Sequence, residues 1–101
     1  MKVTFLKIAE AELDDAFEYY ESVQNGLGFR FLTEVELSKA RIQHFPFSYG
    51  ERGKYSRRCL VQNLPYGLIY QYMEHKKEIL IVAVSHLHRV PDYWSDHQCF
   101  H

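Results

Sequence analysis

The sequence predicts an α+β fold, with an antiparallel helical hairpin packed on a small, mainly antiparallel sheet in the order β-α-α-β-β-β. Three observations carry this expectation. Apolar residues recur at helical spacing through two consecutive segments between Ala9 and His44. Polar and apolar residues alternate at period two from Tyr55 onward, and the run ILIVAV at 79–84 is apolar without interruption. A period near 3.6 marks an amphipathic helix, a period of two marks a half-covered strand, and a short β-branched run marks a strand covered on both faces.

Each element has its own signal. Residues 2–7, KVTFLK, place Val3 and Phe5 between polar neighbours and suit a short first strand. From Ala9 to Val23, Leu13, Ala16, Phe17 and Tyr20 fall at i, i+3, i+4 and i+7, which is one helical stripe. Acids gather in its first half, where the helix dipole favours negative charge. Asn25-Gly26 and Gly28 signal a tight turn. A second helix from Leu27 to His44 carries the stripe Phe31, Val35, Ser38, Ile42 and Phe45, with Leu32 beside it. Pro46 ends it, because proline disfavours helical backbone at the preceding residue. So short a link makes the helices antiparallel neighbours.

Residues 47–54, FSYGERGK, read as a loop. The strand from Tyr55 puts Arg57, Cys59 and Val61 on one side and Arg58, Leu60 and Gln62 on the other. Asn63, Pro65 and Gly67 signal a turn before a strand from Leu68 to Met73, and EHKKE at 74–78 is a charged hairpin turn before the central strand Ile79–Val84. Turns this short join antiparallel strands. With no repeat, linker or low-complexity tract, residues 1–101 are expected to form one domain.

Composition excludes several classes. An apolar content of 47% is too high for a disordered chain. No apolar run approaches the roughly 20 residues that span a bilayer. Lys7 and Glu10 interrupt the opening segment, so it is not expected to act as a signal peptide, and the chain is expected in the cytoplasm. In a reducing compartment Cys59 and Cys99 are expected as free thiols, Cys59 as a small core residue. The net charge of −1 hides an asymmetry: Glu10, Glu12, Asp14, Asp15, Glu18 and Glu21 share one short stretch, while the remainder is mildly basic. A pI near 6.6 is far from that of a dedicated nucleic-acid binder.

The residues that could carry chemistry concentrate after position 56. Arg57 and Arg58 open a strand with side chains on opposite faces; one could present its planar fork to a phosphate or carboxylate. Arg52 and Lys54 just before them suit ordinary surface cations. His86 and His88, two apart, share a face if the strand continues; they suit proton transfer, a phosphate contact or simple capping of the strand end. Tyr93 and Trp94 could lid the core, stack on a base or seat a partner, with Arg89 beside them. The tail motif His97-x-Cys99-x-His101 has chelating spacing, but lacks the four ordered ligands of a structural zinc site, so no metal or other cofactor is expected.

In order along the chain stand the helical hairpin, Phe45-Pro46 with a following Gly50, Arg57-Arg58, PYGLIY at 65–70, ILIVAV at 79–84 and SHLHRVPDYW at 85–94. Together they resemble toxins of the RelE/ParE superfamily, from type II toxin–antitoxin (plasmid stabilisation) systems. The resemblance implies a curved sheet and a cognate antitoxin that wraps the toxin, with a homodimer or a toxin–antitoxin hetero-oligomer as the assembly. It leaves the target open between DNA gyrase, bound by ParE-like members, and mRNA on the ribosome, cut by RelE-like members; a toxin-derived protein without toxicity is a third reading. On the nuclease reading Arg57 or Arg58 would hold phosphate, His86 or His88 would move protons, Tyr93 would stack or donate, and Glu51 would be a base. On the gyrase reading no catalytic set is needed, and Arg89, Tyr93 and Trp94 would contact a partner. The modest charge favours growth inhibition through gyrase.

Overall fold

The computed structural model describes residues 2–52 and 55–87, which form six elements in the expected order. These are β1 (Lys2–Phe5), α1 (Lys7–Val23), α2 (Leu27–His44), β2 (Arg57–Leu60), β3 (Tyr66–Met73) and β4 (Glu78–His86). The bounds of α2 coincide with those expected. The first helix starts two residues earlier than expected, because Leu6, in extended backbone, caps it and its carbonyl accepts the Glu10 N–H at 3.0 Å. The first strand therefore ends at Phe5. The strand expected from Tyr55 begins at Arg57, while β3 and β4 both run two residues further toward each other's ends than the apolar runs suggest.

The sheet order is β1-β4-β3-β2. The last three strands are antiparallel neighbours, and β1 pairs parallel with β4, with the helical hairpin as the crossover. ILIVAV thus occupies a central strand. Ala9, Ala16 and Tyr20 from α1 and Phe31, Val35 and Ile42 from α2 bury themselves against Cys59, Leu68, Tyr70, Ile79, Ile81 and Val84 of the sheet. Phe45, expected in the α2 stripe, is instead exposed. It sits at the helix C-cap with φ −137°, so the backbone has already left the helical path that would have aimed its ring at the core. The two helices meet closely at Gly28: a Cβ there would lie 2.7 Å from the Phe17 carbonyl, and the Gly28 N–H donates to Glu21 Oε1 at 2.7 Å.

One irregularity sets which side chains face the helices. Ile69 pairs with Ala83 but Tyr70 pairs with Ile81, so Val82 is an extra residue in β4. Such a bulge shifts the alternation by one. Ile79 and Ile81 face the helices before it, and Val84 faces them after it. Val82 and Ala83 both pack on the other face, with Ile69. Glu12 of α1 reaches the disturbed stretch, and its Oε1 accepts the Val84 N–H at 2.9 Å.

The chain after α2 is tied down by Tyr70, whose side chain is fully buried and whose hydroxyl donates to the Pro46 carbonyl. Burial pushes the Tyr70 phenol up to about 12, against the opposing pull of the Arg57 charge. The folded state therefore holds its proton more tightly than the unfolded chain, whose tyrosine titrates near 10. The stability this contributes is intact below pH 10 and is lost as pH rises toward 12. We expect the unfolding free energy of the wild-type protein to fall by on the order of 2 kcal/mol more than that of Tyr70→Phe between pH 9 and 12. Urea unfolding at a series of pH values measures this difference; equal slopes for both proteins would contradict it. At pH 7 the same substitution should cost about 1–2 kcal/mol, since the Pro46 carbonyl loses its donor.

Candidate functional site

β2 is the edge strand, and the loop after α2 lies along its outer side. Arg58 N–H donates to the Gly50 carbonyl at 3.0 Å and Arg52 N–H to the Ser56 carbonyl at 2.7 Å, with Glu51 bridged to Arg57. Between this loop, the last turn of α2 and β2 lies a cleft of about 490 Å³. Arg41, Arg52 and Arg58 line it, with Ser48, Tyr49 and Gly50 on the loop side and Leu60 and Gln62 beyond.

Each arginine is positioned differently. Arg41, in the last turn of α2, is half-buried, and its Nη2 donates to the buried Ser38 Oγ at 2.9 Å. Arg58 lies across Gly67 of the neighbouring strand, where a side chain would come within 2.9 Å of its Cγ and Cδ. Gly67 is thus a seat for the arginine stem. Arg52 is exposed, and its side chain makes one 3.3 Å hydrogen bond, to the Glu51 carbonyl. Burial lowers the Arg58 pKa, and the Arg52 charge lowers it further, yet a guanidinium stays protonated through the physiological range. Among the described residues no carboxylate forms an ion pair with Arg41, Arg52 or Arg58. Burial pushes both the Tyr49 phenol and the Cys59 thiol up, partly opposed by the Arg41 charge, so both stay protonated at neutral pH. Cys59 is a free, buried thiol.

The other expected site residues fall elsewhere. Arg57 faces away from the cleft: its Nη1 donates to the Tyr49 carbonyl at 2.8 Å, and its guanidinium sits 5.6 Å from the Phe47 ring centre. It fastens the loop. Glu51 lines a second, smaller hollow with Phe47, Tyr55, Arg57, Tyr72 and Glu74. His86 stands edge-on to the Tyr66 ring at 5.1 Å, in a hollow shared with Glu12, Asp15 and Tyr19 of α1. Tyr66 packs with the helix-side core, whereas Arg58 covers Gly67, the next residue along β3. Successive residues of a strand point to opposite faces, so Arg58 and His86 lie on opposite sides of the sheet. Arg58 and His86 are thus held apart, because the bulge at Val82 turns His86 toward the helices. His88, Arg89, Tyr93 and Trp94, together with Lys54, His97, Cys99 and His101, lie outside the described residues.

Among the described residues, then, the cleft gathers guanidiniums, hydroxyls and an amide, without an imidazole or carboxylate in its lining. Cleavage of RNA would need a base and an acid beside the cations. Sequence reasoning overlooked Arg41, Tyr49 and Gly67. Arg41 had a usable signal: it stands three residues after Ser38 and one before Ile42, at the margin of the buried stripe.

The family model described as ParE toxin of the type II toxin–antitoxin system, parDE, matches residues 3–91. This chain belongs to that family of toxins. Among solved structures, a chain from the chromosomal ParDE toxin–antitoxin system of P. aeruginosa superposes with a TM-score of 0.72 at 15% identity, covering 86% of the toxin described here and 96% of that chain. At that identity the likeness shows the fold. No curated protein sequence matches significantly. Among the described residues of the toxin, no helix is long and apolar enough to cross a membrane, and no group of three or more His, Cys, Asp or Glu is placed to hold a metal ion.

The seat of Arg58 on Gly67 yields a specific expectation. Gly67→Ala should destabilise the toxin by about 1–3 kcal/mol, because the arginine stem must move. In an Arg58→Ala background the same change should cost much less, and the coupling appears in a double-mutant cycle of unfolding free energies. Strictly additive costs would show that the two side chains do not meet.

Proposed function

We propose that this toxin arrests growth in the cytoplasm by binding DNA gyrase, under the control of a cognate antitoxin. The observation that carries this reading is the separation of Arg58 from His86 on opposite faces of the sheet. An RNA-cutting toxin would bring a cation and a proton-transfer group onto one phosphate. A toxin that works by binding has no such requirement. The family match supports the reading, as does the likeness to a chain from a ParDE toxin–antitoxin system. The segment carrying Arg89, Tyr93 and Trp94 would supply contacts to a partner. The competing reading keeps Arg57, Arg58, His86, His88 and Tyr93 as a ribonuclease set, and the net charge of −1 weighs against its salt-sensitive engagement of the ribosome.

Purified toxin, mixed in excess with gyrase and relaxed plasmid, should inhibit supercoiling, and the cognate antitoxin should restore it. His86→Ala should still arrest growth on induction, with DNA topology disturbed before translation falls. Unimpaired supercoiling at excess toxin, together with an early loss of protein synthesis, would overturn the proposal in favour of the nuclease reading.

A further inference from the structure

We infer that the cleft of Arg41, Arg52 and Arg58 is a receptor for an acidic side chain of a partner polypeptide. Three guanidiniums face about 490 Å³ of concave space, and no carboxylate among the described residues is paired with any of them. Like charges gathered along one concave surface favour an anionic ligand. Arg58 is partly desolvated, and the nearby Arg52 charge disfavours its own further. An incoming carboxylate would relieve both costs, and two arginine forks can bind it through paired N–H donors. Ser48 and Tyr49 add hydroxyl groups, and the loop and β2 backbones hold the rim in a fixed geometry.

The surroundings select a peptide over a nucleic-acid strand. Leu60, half-exposed on β2, lines the same cleft and offers an apolar contact beside the charged one. A nucleic-acid track needs cations extended along a surface. Here the cations converge on one cleft, in a chain of net charge −1 whose α1 carries six acids. The matching segment has a Glu or Asp flanked by apolar residues. This inference stands whether or not gyrase is the target, since it concerns the chemistry of one cleft; a negative supercoiling assay would leave it intact.

The test is a titration of the full-length toxin, followed through the arginine Nε–H signals in ¹⁵N-resolved NMR, assigned with Arg→Lys variants. The probes are a blocked Leu-Glu-Leu-Glu-Leu peptide, its Leu-Gln-Leu-Gln-Leu counterpart and a single-stranded DNA 12-mer. The Glu peptide should shift the Arg41, Arg52 and Arg58 signals saturably, and its affinity should fall as salt is raised. The Gln peptide should bind about tenfold more weakly or worse, as should the Glu peptide to Arg52→Gln/Arg58→Gln. Should the double variant fail to fold, Arg52→Gln alone decides, because the exposed Arg52 side chain makes one long hydrogen bond and contributes little to the fold. Equal binding of the Glu and Gln peptides, or no shift at these arginines, would overturn the inference. Tighter binding of the DNA strand at the same signals would overturn its choice of partner.

Discussion

The extra residue in β4 is the constraint on which the arrangement of functional groups depends. A strand of uniform alternation would send Ile79, Ile81, Ala83 and Ser85 to one face and leave Val84 and His86 on the other. With Val82 inserted, the later half of the strand changes sides, so Val84 completes the helix-side core and His86 stands against Tyr66 and α1. The helix hairpin has a direct stake in this geometry. Glu12 accepts the Val84 N–H just past the bulge, so a carboxylate on α1 holds the backbone at the point where the strand's facing changes. An irregularity in one ladder thereby decides what stands beside the imidazole.

The opposite end of the sheet is organised by different means. Among the described residues no helix runs along the outer side of β2; the 50–52 backbone lies there with its own hydrogen bonds. The neighbouring arginines divide the work. Arg57 turns toward the loop and fixes it through the Tyr49 and Phe47 carbonyls, while Arg58 turns the other way and joins the cleft. Tyr70 anchors the start of the same loop at Pro46. These ties fix the loop backbone beside the cleft, where Arg41 and Arg58 are half-buried and Arg52 stands exposed.

Much of this was legible in the sequence, for reasons that can be named. The α2 bounds follow from an unbroken stripe ended by a proline, and the central place of ILIVAV follows from its having no polar residue to face solvent. The opposite facing of Arg57 and Arg58 follows from period two alone. The bulge leaves no such trace, because IVAV is apolar throughout and gives no contrast between faces from which a slip could be read. The same uniformity hid the position of His86. Arg41 was missed because it shares a cleft with Arg58 only through the packing of α2 on the β2 edge, and Gly67 because its role is to have no side chain where an arginine crosses.

A three-dimensional NOE spectrum of the protein tests the separation of the two groups most directly. Cross-peaks are expected from the Val84 amide to the Glu12 side chain, from the His86 ring to Tyr66 and α1, and from the Arg58 methylenes to the Gly67 α-protons. Cross-peaks between the His86 ring and the Arg58 side chain would place both on one face and contradict that separation.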